Sequence, residues 1–204
     1  MLRKLSFITS LVVLMFAGEV VGNDSASKLD APGISMAAPK KEKPVRPIPR
    51  QQWNYLTKLW LARSCVGEAG FQEVDECIGI AWTMATRSTE YRTNFLRVVQ
   101  GYSFAVKNHS GHRRPWIFQL GMKGDKPEDW PSKLNWKFHR RLWFKLLDTL
   151  DKWAKGKVPN PVDGANHFGG DMDTPGVTWL VVKPKFGFEF KNTFYRQDKT
   201  PGNK

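Results

Sequence analysis

The chain has 204 residues and is strongly basic, with 32 Lys and Arg against 19 Asp and Glu and a formal net charge of +13 at pH 7. A charge of this size attracts polyanions, but it does not choose between nucleic acid, anionic wall polymer and lipid head groups. The sequence contains no Cys-x-x-Cys, no Gly-x-Ser-x-Gly and no Gly-x-x-x-x-Gly-Lys. It therefore lacks the usual signatures of thiol redox proteins, serine hydrolases and P-loop nucleotide-binding proteins.

Residues 1–22 have the order of a signal peptide. Basic Arg3 and Lys4 precede an apolar run over 7–17, and Gly22 ends the short stretch that follows. The run is shorter than the roughly 20 apolar residues that a transmembrane helix needs. We expect cleavage near Gly22 and a secreted or periplasmic protein. An uncleaved anchor is the alternative, and it too would place most of the chain outside the cytoplasm.

Composition divides the rest of the chain into a linker, one domain and a tail. Residues 23–50 are rich in Pro, Ser, Ala and Lys and show no helical or strand periodicity, which predicts a flexible linker. Residues 51–196 are numerous enough for one domain with its own hydrophobic core. Residues 197–204 are expected to be a disordered tail.

Within the domain, apolar residues at helical spacing predict three helices. The first two cover 53–67 and 74–87. The longest is expected to begin with Ser132 as its N-cap and to end before Gly156. Residues 178–182 and 186–195 are β-branched and aromatic, which predicts a short strand pair or an extended lid. The predicted class is mainly α (α+β) with a small C-terminal β element.

The candidate for catalysis is Glu68, which stands between small residues at the junction of the first two helices. Small neighbours leave room for its carboxyl to project into a cleft. A partly apolar cleft disfavours the ionised carboxylate and keeps a proton available for a general acid acting on a glycosidic oxygen. A lone glutamate at a helix end is more commonly solvated, so the spacing alone leaves both interpretations open.

Five segments around Glu68 and after it follow a characteristic order. They are residues 61–69 (LARSCVGEA), 78–87 (IGIAWTMATR), Ser103-Phe104, 159–168 (PNPVDGANHF) and 192–196 (NTFYR). Together they resemble the spore cortex-lytic, SleB-like family of cell wall hydrolases. The likeness covers nearly all of residues 55–196. It departs from the family pattern at 70–73 (GFQE) and at Ala105-Val106, which concern substrate contacts.

The resemblance implies a lysozyme-like, goose-type helical domain that acts as a monomer and without a cofactor. Its expected activity is cleavage of peptidoglycan glycan strands between N-acetylmuramic acid and N-acetylglucosamine, as a lytic transglycosylase or glycosidase. The family's catalytic glutamate corresponds to Glu68, which would act first as acid and then as base while a hydroxyl of the substrate closes an anhydro ring. Asp171 or Asp173 would be the second carboxylate if the reaction were hydrolysis. Glu73 and Asp75 are expected in the first turn of the second helix.

Other residues are candidates for holding the glycan. The resemblance places His167 beside the cleft, where it would position substrate; the alternative is a structural histidine that hydrogen-bonds the loop. The Asn166 amide would hold an N-acetyl group or cap a turn. Aromatic side chains provide platforms for sugars, although most aromatics pack in the core. The remaining candidates are Tyr102, Ser103, Phe104, Phe168 and, as a platform only, Trp116.

Cys65 and Cys77 form a disulfide or remain two buried thiols, and the sequence leaves both options open. On the chain-entropy model, a bridge would stabilise the fold by roughly 3 kcal/mol.

Two other kinds of site are weaker candidates. Zinc, as in a wall amidase, would need ligands from the four histidines, but their spacing fits no usual zinc motif and no metal is expected. A non-catalytic wall-binding module is the main alternative to an enzyme. Nucleic acid is not an expected partner, because the chain has no recognised DNA-binding or RNA-binding motif. The histidines are His109, His112, His139 and His167.

A basic run in the longest predicted helix has two interpretations. Its charges are the ordinary solvated face of a helix, or they contribute to peripheral association with anionic polymers of the envelope. The residues are Lys137, Arg140, Arg141 and Lys145.

Overall fold

The computed structural model describes residues 45–107, 115–121, 126–170 and 172–198. The predicted signal peptide and most of the predicted linker and tail lie outside these ranges. The α-helices are α1 (Tyr55–Glu68), α2 (Val74–Glu90), α3 (Phe95–Tyr102), α4 (Phe104–Lys107) and α5 (Trp136–Ala154). The strands are β1 (His167–Gly169), β2 (Trp179–Val182) and β3 (Thr193–Gln197), and short 3-10 helices cover Arg50–Gln52, Pro115–Gln119 and Pro127–Asp129.

The first two predicted helices are confirmed as α1 and α2. Asn54 caps α1, since its side chain accepts a hydrogen bond from the Thr57 N–H at 3.0 Å. After Ala69, Gly70 adopts a φ of +101°, which favours glycine and ends the helix immediately after Glu68. The catalytic candidate therefore stands on the last turn of a helix.

The predicted start of the longest helix is wrong. Ser132 lies in a turn before the helix, and α5 begins only at Trp136. Its cap is Asn135, whose side chain accepts a hydrogen bond from the Phe138 N–H at 3.1 Å. Both residue types suit this position, so the sequence did not reveal which of them would occupy it.

The β element is a three-stranded antiparallel sheet in the order β1-β3-β2. β2 agrees with the first predicted strand, but the second prediction is only partly right, since residues 186–195 become a strand at Thr193. Phe186 and Gly187 have φ values of +63° and +70°, so the chain turns there. β1 was not predicted, and it pairs with β3 through Phe168 opposite Phe194.

Helices α1, α2, α3 and α5 and the sheet share one hydrophobic core, while α4 packs with the Pro115–Gln119 3-10 helix in a second, smaller cluster. A disulfide joins Cys65 on α1 to Cys77 on α2. The folded region begins earlier than the predicted residue 51, because Ile48 is buried in this core. The largest fully buried side chains include Leu61, Ile80, Phe95, Trp143, Trp153 and Phe194.

In the described part of the chain, no helix combines the length and apolar character that crossing a bilayer requires.

Candidate active site

Glu68 lies in an open cleft of about 380 Å³ where the helices meet the sheet. Three of the predicted substrate residues, Tyr102, Phe104 and Phe168, share the cleft with it. Loops complete the wall on the sheet side. The rest of the lining comes from Gly169, Gly170, Met172 and Asn192.

The carboxyl of Glu68 is held from one side. Its Oε1 accepts hydrogen bonds from the Ser103 hydroxyl at 2.7 Å and from the Ala105 N–H at 3.0 Å. Ser103 is 1% exposed, so it is placed to position Glu68 and not to touch a ligand. No described residue donates a hydrogen bond to Oε2. In its protonated form, the carboxyl therefore offers the proton on Oε2.

Gly67 makes this arrangement possible. A Cβ at residue 67 would lie 2.2 Å from the Cβ of Ala105, which is far inside van der Waals contact. Without a side chain, α1 and α4 approach closely enough for the Ala105 N–H to reach Glu68. Gly67 and Glu68 therefore act together: the missing side chain of Gly67 leaves room for Ala105, and the Glu68 carboxyl accepts the hydrogen bond from its N–H.

Tyr102 brings a hydroxyl to the same cleft. Its oxygen accepts a hydrogen bond from the Phe168 N–H at 3.0 Å, which ties the end of α3 to β1. Burial raises the pKa of the Tyr102 phenol, so it stays protonated near neutral pH. The phenol can therefore donate its own hydrogen to a bound molecule.

Phe104 and Trp116, both predicted platforms, have different surroundings. Phe104 is 79% exposed at the cleft, the position of a side chain that a ligand would cover. Trp116 stacks on Phe71 with ring centroids 6.2 Å apart and does not line the cleft. Of the two, Phe104 has the geometry of a platform and Trp116 that of core packing.

The opposite wall is fixed by Glu76, which sequence reasoning missed. Glu76 is 2% exposed, and its carboxylate accepts hydrogen bonds from the Lys191 N–H and the Asn192 N–H, each at 2.9 Å. The Asn192 side-chain amide also donates to Glu76, at 2.5 Å. Local sequence patterns could not identify the partners of Glu76, because the donors lie more than a hundred positions further along the chain. The signal available was a carboxylate among apolar residues on the inward face of α2.

Asn166 and His167 do not line the cleft. Asn166 is fully buried; its side-chain NH2 donates to Glu90 at 2.7 Å, and its Oδ1 accepts from the Gln197 N–H at 3.2 Å. His167 Nδ1 lies 2.8 Å from the same Oδ1, while Nε2 is bonded to the Arg87 guanidinium. The side-chain polar atoms of both residues are therefore bonded within the protein, which favours the structural interpretation of His167. The Asn166 side chain bonds to Glu90, His167 and the Gln197 N–H, and these bonds are not the turn cap that the sequence suggested.

His167 is neutral in this network. Burial and the Arg87 charge lower the pKa of His167 to about 4. Because Arg87 can only donate, Nε2 must accept and Nδ1 must carry the proton, which it donates to Asn166. Arg87 also lies over the Tyr102 ring, 4.3 Å from its centroid, so the network supports the cleft from behind.

The other predicted carboxylates do not join Glu68. Asp75 lies in the first turn of α2 as expected, whereas Glu73 is the N-cap residue just before that turn and pairs with Lys191 at 2.6 Å. Asp173 is exposed and is not among the residues that line the cleft, while Asp171 lies outside the described residues. Glu68 is therefore the one acidic side chain among the described residues of the cleft.

In the described ranges, no three His, Cys, Asp or Glu side chains come together as metal ligands. Of the four histidines considered for zinc, His109 and His112 lie outside these ranges. His139 Nδ1 contacts the Asn135 carbonyl at 2.9 Å, and His167 is held by Arg87 and Asn166.

No model of a known protein family matches the chain, and no curated protein or solved structure matches it either. The resemblance to spore cortex-lytic hydrolases therefore stands on the five sequence segments.

Proposed function

We propose that this protein is an exported enzyme that cleaves the glycan strands of peptidoglycan with Glu68 as its acid and base. The observation that carries the proposal is the asymmetry of the Glu68 carboxyl. Oε1 is fixed by two donors, and Oε2 has no partner among the described residues. A general acid needs this combination of a fixed orientation and one oxygen that delivers a proton.

In the proposed reaction, Glu68 gives its proton to the glycosidic oxygen as the bond to the anomeric carbon breaks. The carboxylate then takes a proton from the substrate's own primary hydroxyl, whose oxygen bonds to the anomeric carbon and closes an anhydro ring. Each proton that leaves Glu68 is thereby returned. Such a route needs no second carboxylate to activate water, in keeping with the single acidic residue among the described residues of the cleft.

The rest of the cleft suits a sugar. Tyr102 offers a hydroxyl donor, and Phe104 offers an exposed aromatic ring. The Asn192 amide group donates to Glu76, so its carbonyl oxygen is left to accept from a sugar hydroxyl. We further propose the lysozyme-like, goose-type helical fold that the sequence resemblance implies, for which the mainly helical architecture and a glutamate at a helix end are the support.

The test is digestion of purified peptidoglycan by the full chain and by Glu68→Gln, with mass spectrometry of the released fragments. A matched control is Glu128→Gln, which makes the same chemical change at an exposed residue outside the cleft. We expect fragments with anhydro-muramyl ends from the wild type and the control. Glu68→Gln should lose activity by roughly 10²-fold to 10⁴-fold, the usual contribution of a general acid or base.

Other outcomes would revise the proposal in defined ways. Reducing ends would mean hydrolysis by water, and Asp171→Asn would be the next variant. Wall binding without release of fragments by either protein would replace the enzyme with a non-catalytic binding module.

A further inference from the structure

One side of α5 carries a row of three exposed cations, Lys137, Arg141 and Lys145, which we name the basic stripe. They follow one another at intervals of four residues and so lie along one side of the helix. No ion pair or hydrogen bond links any of their side chains to a described residue. We propose that the basic stripe binds a linear, phosphate-bearing polymer of the cell envelope, a function separate from glycan cleavage.

In the second half of α5, unlike in the basic stripe, charged side chains form ion pairs with described residues. There Lys152 pairs with Asp148 at 2.6 Å, and Asp151 pairs with Lys58. In the basic stripe, like charges follow at i and i+4, a spacing that destabilises an isolated helix. An anionic ligand would relieve this repulsion.

The geometry of the stripe favours a linear polyanion. With a rise of about 1.5 Å per residue, cations four positions apart are separated by roughly 6 Å along the helix axis. Neighbouring phosphates in an extended phosphodiester chain are separated by a distance of the same order. A polymer lying along α5 can therefore place one phosphate near each cation, and its binding would release counterions.

A membrane surface fits less well. Amphipathic helices that lie in a bilayer bury an apolar face in the lipid. The apolar face of α5 is already buried in the core through residues such as Trp143, Leu146 and Leu150. On the side of the stripe only Phe138 is a large exposed apolar residue, at 46% exposure. The signal-peptide-like residues 1–22 favour an envelope polymer over nucleic acid, because an exported chain meets the former.

One end of the basic stripe lies near the loop that follows the proposed catalytic residue. Phe138 and His139, beside Lys137, line a hollow of about 240 Å³ together with the 69–73 loop that follows Glu68. A polymer bound along the stripe would therefore end close to the loop of the proposed catalytic residue and would hold the cleft near its substrate.

The test measures binding of the full chain to immobilised poly(glycerol phosphate) over a range of salt concentrations. The stripe variant is Lys137→Gln/Arg141→Gln/Lys145→Gln. The matched control, Lys152→Gln/Lys155→Gln/Lys157→Gln, removes the same number of positive charges from exposed positions in the last turn of α5 and just beyond it. Thermal unfolding of both variants checks that each is folded.

We expect the stripe variant to bind roughly 100-fold more weakly at low salt, and the control less than about 3-fold more weakly. The slope of log K against log salt should fall by about 2 in the stripe variant, as expected for three lost phosphate contacts. Glu68→Gln should bind like the wild type, which separates this proposal from the proposed catalysis.

Three results would overturn the inference. Equal losses in both triple variants would assign binding to overall charge. Unchanged binding of the stripe variant would remove the stripe from the interface. Tighter binding to a DNA oligomer or to vesicles of anionic phospholipid than to poly(glycerol phosphate) would reject the envelope polymer as the partner.

Discussion

The sequence predicted Glu68, Asn166 and His167 as residues of one site. In the structure, the polar atoms of Glu68 have different surroundings from those of Asn166 and His167. At Glu68, two donors hold one carboxylate oxygen, and the other oxygen has no described partner. At Asn166 and His167, both polar atoms of the amide and both ring nitrogens are bonded within the protein. A group whose hydrogen bonds are complete contributes stability, whereas a group with an unused donor or acceptor at a cleft can act on a ligand.

The largest effect on stability should come from the pH dependence of His167. Its pKa is about 4 in the fold against 6.5 for a free histidine. Between pH 4 and pH 6.5, His167 binds a proton in the unfolded chain but not in the folded chain. The stability contributed by neutral His167 is therefore complete above pH 6.5 and is lost as pH falls towards 4. The loss should approach about 3 kcal/mol.

Urea unfolding of wild type and His167→Gln across pH 4 to 7 would check this expectation. The variant should show the flatter profile over that window. If the rate of glycan cleavage depended on the ionisation of His167 instead, this residue would act in the cleft, and its contrast with Glu68 would be wrong.

Asn166→Ala should lower the free energy of unfolding by about 2 to 3 kcal/mol, because it leaves buried hydrogen-bonding groups without their partner. The rate of cleavage per folded molecule should change little. Asn160→Ala is the matched control, since the half-buried Asn160 side chain accepts one hydrogen bond, from the Val162 N–H. Denaturant unfolding and peptidoglycan digestion together separate the two effects, and a large rise in KM without a loss of stability would contradict the assignment.

Ser103→Ala should slow cleavage roughly 10-fold, because Glu68 loses one of the two donors that orient it. Ser88→Ala removes another buried hydroxyl, which donates to the Thr93 carbonyl, and should leave the rate per folded molecule unchanged. Initial rates of fragment release provide the measurement. Equal rates for both variants would mean that Ser103 does not position Glu68.

Phe104→Ala should have the smallest effect, a rise of about 3-fold in KM with stability unchanged within about 0.5 kcal/mol. The side chain is 79% exposed, so its removal costs little packing, although it also takes away the ring over which the Lys107 ammonium lies, 5.7 Å from the centroid. Phe186→Ala, at another exposed phenylalanine outside the cleft, should change neither quantity. Kinetics on soluble glycan fragments would distinguish these cases.

Local sequence patterns predicted much of the helical structure, and several of the site residues predicted from the sequence lie together in the fold. Apolar spacing found α1 and α2, and the predicted Tyr102, Phe104 and Phe168 share the cleft with Glu68. Prediction was poorer where two local signals competed, as at Ser132 and Asn135. It also failed for β1, whose hydrogen bonds come from a strand more than twenty residues later.

The sequence by itself determined the placement of Glu68 at the end of a helix, because Gly70 beyond it suits the left-handed turn that stops α1. It likewise determined the basic composition and the apolar faces that form the core. Only the tertiary structure decided which polar groups are already satisfied: Ser103 and Ala105 reach one oxygen of Glu68, while Glu90 and Arg87 complete the bonds of Asn166 and His167. These partners lie tens of residues apart in the chain, and hydrogen bonding depends on distance and direction in space, which local patterns do not encode.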